Sequence, residues 1–182
     1  MPENHHQGQR EPIDFVKLEA GDEAGNEAMS SLAVGIVREH YDPIIGRAQN
    51  DYMIEKFQSP AAIRRQLASG YQYYFVRTPG RNVGFLAFFP RGGAMYLSKL
   101  YLLKDERGKG YSRQMVDFVV GKAKEAALDV VELNVNRHND SIRVYEKLGF
   151  TVARTEKNDI GCGFFMDDYV YALKVGDWPS EE

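Results

Sequence analysis

The stretch that most constrains the fold runs from Leu100 to Val120, LYLLKDERGKGYSRQMVDFVV. It opens on large apolar residues, crosses a charged segment with glycines at 108 and 110, and resumes with apolar residues at helical spacing. A strand, a glycine loop and a helix in that order call for a mixed α/β architecture. A loop at a helix N-terminus presents unpaired backbone N–H groups, and the helix dipole adds partial positive charge there. Glycines lack Cβ atoms and let an anion approach the backbone closely. Arg107, Lys109 and Arg113 add charge nearby. RGKGYS alone therefore reads either as a pyrophosphate cradle or as a tight turn with a charged face. Two phosphate-loop patterns fail on the residues. GxxxxGK[ST] is absent because Lys109 is followed by Gly110, and GxGxxG is incomplete because Arg113 holds the third place.

The chain has 182 residues, enough for one well-formed core and short for two. A net charge of −3 speaks against a generic polyanion-binding surface, and no aromatic–basic sheet motif is present, so no nucleic-acid partner is expected. The single cysteine, Cys162, excludes an internal disulfide framework and a cysteine-based zinc site. His40 and His138 lack metal-like spacing with another ligand, and no metal is expected. Residues 1–11 are polar, include His5 and His6, and read as a disordered tail without the apolar core of a signal peptide. No apolar run approaches the ~20 residues needed to span a bilayer. The expectation is a cytoplasmic protein with one domain over 12–176 and a tail over 177–182.

Along the chain, IDFVKLEA reads as a first strand. A helix through EAMSSLAVGIVREHY is capped by Asp22 or Asn26 and broken at Pro43. AQNDYMIEKFQ is helical. SPAAIRRQLASG starts another helix with Ser59 as N-cap, Pro60 in the first position and Gly70 as the stop. YQYYFVR, VGFLAFFP and the segment ending LSKLYLL form three neighbouring antiparallel strands. After the glycine loop and its helix, VVELNVN alternates Val131, Leu133 and Val135 against Glu132, Asn134 and Asn136. NDSIRVYEKLGF is a short helix capped by Asn139 or Asp140 and ended by Gly149. VARTE and FFMDDYVYALKV close the fold as strands, with Asp167 and Asp168 ahead of the last one.

The loop Arg107–Ser112 resembles the Q/R-x-x-G-x-G/A loop of the Gcn5-related N-acetyltransferase (GNAT) superfamily, with Ser112 where that family prefers Gly or Ala. Asn139–Phe150 resembles that family's second motif, in which an asparagine, a tyrosine and a terminal Gly-Phe recur. One helix and one strand separate the two motifs, as in the family. The resemblance covers residues 71–175 and extends more loosely over the first ~70 residues, which match the family's variable first strand and helices by periodicity. It implies a single domain with a mixed, mostly antiparallel central sheet, flanked by helices and opened by a V-shaped splay between two parallel strands ending near Leu102 and Asn136.

It also implies acetyl-CoA as co-substrate and direct attack of an amine on the thioester. Backbone amides of Arg107, Gly108, Lys109, Gly110, Tyr111 and Ser112 match the pyrophosphate-binding loop. Leu100, Tyr101 and Leu102 match the strand that pairs with the pantetheine arm. Asn139 matches a contact to that arm, and Tyr145 matches the residue that protonates the departing thiolate. A tyrosine with a pKa near 10 suits that donation at neutral pH. The oxyanion needs a donor, and a backbone N–H on the strand before the loop is placed for it.

Taken without the resemblance, Tyr145 reads as core and Asn139 as a helix cap. Asp167 and Asp168 read either as a solvated turn or as carboxylates that attract a cationic amine. Asp42, Asp51 and Glu55 lie in segments that could form the opposite acceptor wall, and their pairing with MDDY resembles the polyamine-type branch of the superfamily. The expected acceptor is a small amine or polyamine, or an amine of a protein. A non-catalytic CoA-binding sensor is the alternative. A monomer and a homodimer are both compatible with the residues, and no general base is identified.

Overall fold

The computed structural model describes residues 12–179, so the proposed tail over 1–11 lies outside the described residues. Strand β1 (Asp14–Lys17) leads into three helices, α1 (Glu23–Ile45), α2 (Arg47–Phe57) and α3 (Pro60–Ala68). Strands β2 (Gln72–Thr78), β3 (Arg81–Arg91) and β4 (Ala94–Leu102) follow, then helix α4 (Tyr111–Glu125). Strand β5 (Val130–Asn136), helix α5 (Ile142–Lys147), and strands β6 (Thr151–Gly161) and β7 (Phe164–Lys174) complete the order. The seven strands form one sheet in the order β1-β2-β3-β4-β5-β7-β6. Only β4 and β5 run parallel.

Local chemistry accounts for the helix ends. Asp22 caps α1 by accepting from the Gly25 N–H, and Ser59 caps α3 by accepting from the Ala62 N–H. Pro43 does not break α1, which continues through it to Ile45. Proline there forgoes the hydrogen bond to the Glu39 carbonyl and crowds it, and the helix ends two residues later. The chain then turns at Gly46, whose φ of +84° suits glycine.

Strand alternation divides the core into two layers. Tyr74, Val76, Leu86 and Phe88 face α4, packing with Met115, Val116 and Val119. Tyr73, Phe75, Phe85 and Ala87 face α1 and α3, packing with Met29, Ile36 and Ile63. Val131, Leu133 and Val135 of β5 are buried, as the alternation predicts.

Three differences from the sequence reading matter. Asp167 and Asp168 lie inside β7, paired with Lys157 and Glu156 of β6, because β7 begins at Phe164. The strand foreseen in VARTE extends to Gly161, making β6–β7 a long hairpin. Its tip is held to α2 by hydrogen bonds from Tyr52 Oη and Lys56 Nζ to the Ile160 carbonyl. Finally, the chain beyond 176 still packs: Trp178 is buried, and its Nε1–H donates to Asp117 at 2.9 Å.

Candidate active site

The sheet opens where β4 and β5 part. Their parallel pairing spans only Met95 with Val131 and Tyr96 with Glu132. Beyond Tyr96, β4 keeps its partner β3, and β5 keeps its partner β7. The β3–β4 register shifts between Ala87 and Phe88, which leaves Ser98 as an extra residue on β4. Such a bulge bends its strand and increases twist, which turns β4 away from β5. Backbone on the β5 side of Leu100, Tyr101 and Leu102 is thereby left without a strand partner.

Two cavities flank this gap. One, of about 350 Å³, lies on the α4–α5 side, and the other, of about 610 Å³, lies on the α1–α2 side. Both are lined by Tyr41, Ser98, Tyr101 and Asn134, so they meet at the splay.

The first cavity gathers ten of the eleven residues singled out by sequence: Leu100, Tyr101, Leu102, Arg107, Gly108, Gly110, Tyr111, Ser112, Asn139 and Tyr145. Lys109 does not line it. Its Nζ instead pairs with Glu106 at 2.9 Å, and Glu106 also binds Arg81. Arg107 donates to the Leu102 carbonyl. The loop's capacity for an anion therefore rests on its backbone. Gly108 and Gly110 have φ of +78° and +82°, which glycine adopts without strain. A Cβ at Gly108 would meet nothing within 4 Å, so the loop backbone borders open space. Gly110 is the N-cap of α4 and no side chain caps that helix, so its first-turn N–H groups stay open to a diphosphate.

Asn139 joins three elements. Its Oδ1 accepts from the Ser141 N–H at 2.9 Å, ordering the start of α5, and from His40 Nε2 at 2.9 Å. Its Nδ2 donates to Tyr41 Oη at 3.2 Å, which leaves one amide N–H. Burial lowers the His40 pKa, keeping the imidazole neutral near pH 7. Tyr145 projects from α5 with its ring edge against Phe150. Burial raises its pKa, so its hydroxyl remains a donor throughout the physiological range.

The second cavity holds Asp168, which the sequence reading weighed as a solvated turn or an amine-attracting carboxylate, together with Lys99 and Glu156, which that reading missed. Asp168 is 2% exposed. It accepts from Asn134 Nδ2 at 3.3 Å. Burial pushes its carboxyl up to about 6, with the neighbouring Asp167 and Glu156 adding to the effect. A carboxylate of that pKa is largely ionised at pH 7 and still basic enough to take a proton. Glu156 is held by Asn134, Asn158 and Arg154, and its pKa is lowered by those bonds, that from Asn134 first. Lys99 is buried and donates to the Phe57 carbonyl and to the side-chain carbonyls of Gln58 and Gln66. Loss of hydration lowers its pKa to about 7. Tyr41, His40 and Lys99 stand on ordinary-looking helix and strand patterns, and nothing in their spacing marks them. Asp168 sits in an alternating run beside Tyr169, but its burial depends on α1 and α2 covering that face. Among the described residues, no group of three or more His, Cys, Asp or Glu side chains is arranged to hold a metal.

A splayed parallel strand pair, a glycine-capped helix start facing the gap and a buried tyrosine beside it define an acyltransferase-type site. The acetyltransferase (GNAT) domain pattern matches residues 41–166, more than half of the chain, so the chain belongs to the GNAT acetyltransferase family and is an N-acetyltransferase. Solved structures with the same fold include the PaiA N-acetyltransferase from Thermoplasma acidophilum in complex with coenzyme A. It has 18% identity and a TM-score of 0.72, covering 90% of this chain and 99% of that one. The ribosomal-protein-S18-alanine N-acetyltransferase from Escherichia coli has 16% identity and a TM-score of 0.63, covering 94% and 97%. A GNAT family acetyltransferase from Elizabethkingia anophelis with acetyl-CoA bound has 16% identity and a TM-score of 0.61, covering 89% and 97%. At these identities the likeness is one of fold. A sequence comparison with curated proteins gives no match.

Proposed function

We propose that this protein transfers an acetyl group from acetyl-CoA directly to an amine of a small molecule or polyamine, or of a protein. The observation that carries this reading is the meeting of two cavities at the splay, with Tyr145 lining one and Asp168 the other. The residues of the first cavity fit the donor. The open N–H groups of Arg107–Ser112 would hold its diphosphate, the unpaired side of Leu100–Leu102 would pair with its amide arm, and the remaining N–H of Asn139 would contact the arm. The donor supplies the activated acyl group. The chain supplies proton traffic on either side of the gap. Asp168 accepts a proton from the incoming ammonium, so that the amine attacks in its neutral form. A backbone N–H of β4 beyond the bulge stabilises the oxyanion. Tyr145 gives its proton to the departing thiolate, because its raised pKa keeps the hydroxyl protonated until then.

The test is calorimetric titration with acetyl-CoA and, in parallel, with S-acetylpantetheine, which lacks the diphosphate. Micromolar one-to-one binding of the first and loss of binding with the second is the expected result. Absence of acetyl-CoA binding at millimolar concentration would overturn the reading.

A further inference from the structure

The acceptor cavity is not the acidic wall that a polycation would seek. Of the carboxylates that the sequence offered for such a wall, exposed Glu55 does not line the cavity, and all the others but Asp168 are already engaged. Asp167 pairs with Arg137 at 2.7 Å, and Asp51 pairs with Arg38 at 2.6 Å. Asp42 accepts from Asn50 at 2.7 Å. Glu156 shares Arg154 with Glu132. Among the described carboxylates lining the cavity, Asp168 alone has no cationic partner in hydrogen-bond contact.

A complementary free cation lines the same cavity. Arg91 ends β3 beside the Gly92–Gly93 turn, whose positive φ angles hold the hairpin tight. Its guanidinium lies 3.6 Å from the centroid of the Tyr96 ring. Among the described residues it has no carboxylate partner and no hydrogen-bond acceptor. A face-stacked guanidinium keeps its N–H edge free for a planar anion. From there a single line of groups reaches Asp168. Tyr96 Oη donates to Asn134 Oδ1 at 3.0 Å, and Asn134 Nδ2 donates to Asp168. The free anion and the free cation thus stand one tyrosine ring and one amide apart, too far for the two charges of an α-amino acid. The stacked rings of Tyr71 and Phe89, with centroids 4.2 Å apart, form an apolar wall.

Resting on the transferase reading above, we infer that the acceptor is a zwitterionic amine: its ammonium is received at Asp168, and its single carboxylate, several atoms away, is received by Arg91. One unpaired guanidinium matches one unit of negative charge and can bind a carboxylate through two parallel hydrogen bonds. An ω-amino acid or a short peptide has this form.

The experiment compares three acceptors with the same six-carbon chain, 6-aminohexanoate, 1,6-diaminohexane and hexylamine, at fixed acetyl-CoA on the full-length protein. The expected result is a kcat/KM for 6-aminohexanoate about tenfold or more above the other two, since a site built for a polar group discriminates against analogues that lack it. In the Arg91→Gln variant, the fall with 6-aminohexanoate should exceed the fall with hexylamine by at least about tenfold and should lie mainly in KM. Preference for the diamine, or equal falls for both acceptors in the variant, would overturn the inference. So would acetyl-CoA binding at micromolar concentration with no transfer to any of the three, while leaving the donor reading in place. Failure to bind acetyl-CoA would overturn both.

Discussion

At the residue scale, the proton roles proposed for Tyr145 and Asp168 rest on their surroundings. Burial raises both pKa values, but from different starting points. The tyrosine is kept protonated, and the carboxylate is brought toward neutrality, where it can cycle. Tyr145→Phe keeps the ring packing against Phe150 and removes only the donor. Its kcat should fall by about 10²-fold while calorimetric affinity for acetyl-CoA stays unchanged. Unchanged turnover at every pH would remove the tyrosine from the proton path.

Asp168 ties activity to pH and to stability. In its proposed role as base it must be ionised, so kcat/KM should rise as the pH passes through about 6. The linkage to stability has the opposite sign. Its folded pKa of about 6 lies above the ordinary 3.8. Between those values the folded protein holds a proton that the unfolded chain has released, so stability falls as pH rises through that window and stays lower above it. Asp168→Asn removes that loss. It should abolish most activity and yet raise stability at pH 7.5 by about 2–3 kcal/mol, measured by urea unfolding. A destabilised variant at that pH would mean that the carboxylate is not held at a cost.

At the element scale, the shape of β4 is what opens the site. Gly84 of β3 faces Leu102 of β4, and a Cβ there would lie 2.3 Å from the Tyr101 carbonyl oxygen. Backbone cannot yield as the end of a flexible side chain can. Gly84→Ala should therefore push β4 from β3 beside the residues proposed to pair with the donor. A stability loss of about 1–3 kcal/mol, with a weaker acetyl-CoA affinity than a surface control, is expected. Normal affinity in a destabilised variant would separate β4 geometry from donor binding. On the other cavity's side, Lys99 joins the end of α2 to the sheet through Phe57 and Gln58. This buried tie holds the helical cover over the proposed acceptor cavity.

At the scale of the whole molecule, α4 crosses between the parallel strands β4 and β5, and its N-terminus faces their gap. Ligands in α/β sheets commonly bind at the carboxyl ends of parallel strands. The C-terminal segment buttresses that helix. Trp178 packs in the same core layer as Met115 and Val119, and Arg113 lies 5.0 Å from its ring. Trp178→Ala should lower stability by about 3–5 kcal/mol, a size set by aromatic loss from a core. Thermal unfolding followed by circular dichroism reads it. A loss below 1 kcal/mol would return the segment to the status of a tail.

Local rules carried the sequence reading a long way. Alternation placed Val131, Leu133 and Val135 inside, Ser59 and Pro60 started α3, and the glycines of RGKGYS marked the start of α4, because each depends on a few neighbouring residues. The family resemblance named ten residues that line one cavity, because its two motifs lie within continuous stretches of chain. What only the tertiary structure decided is the make-up of the second cavity, the proposed acceptor side. Arg91, Tyr96 and Lys99 lie on the β3–β4 hairpin, but Asp168 is far along the chain on β7, and the four line one cavity only when β6–β7 and α1–α2 close over the splay. The pKa shifts of Asp168, Tyr96 and Lys99 come first from burial, which depends on packing across the molecule, so no local pattern in the chain encodes them.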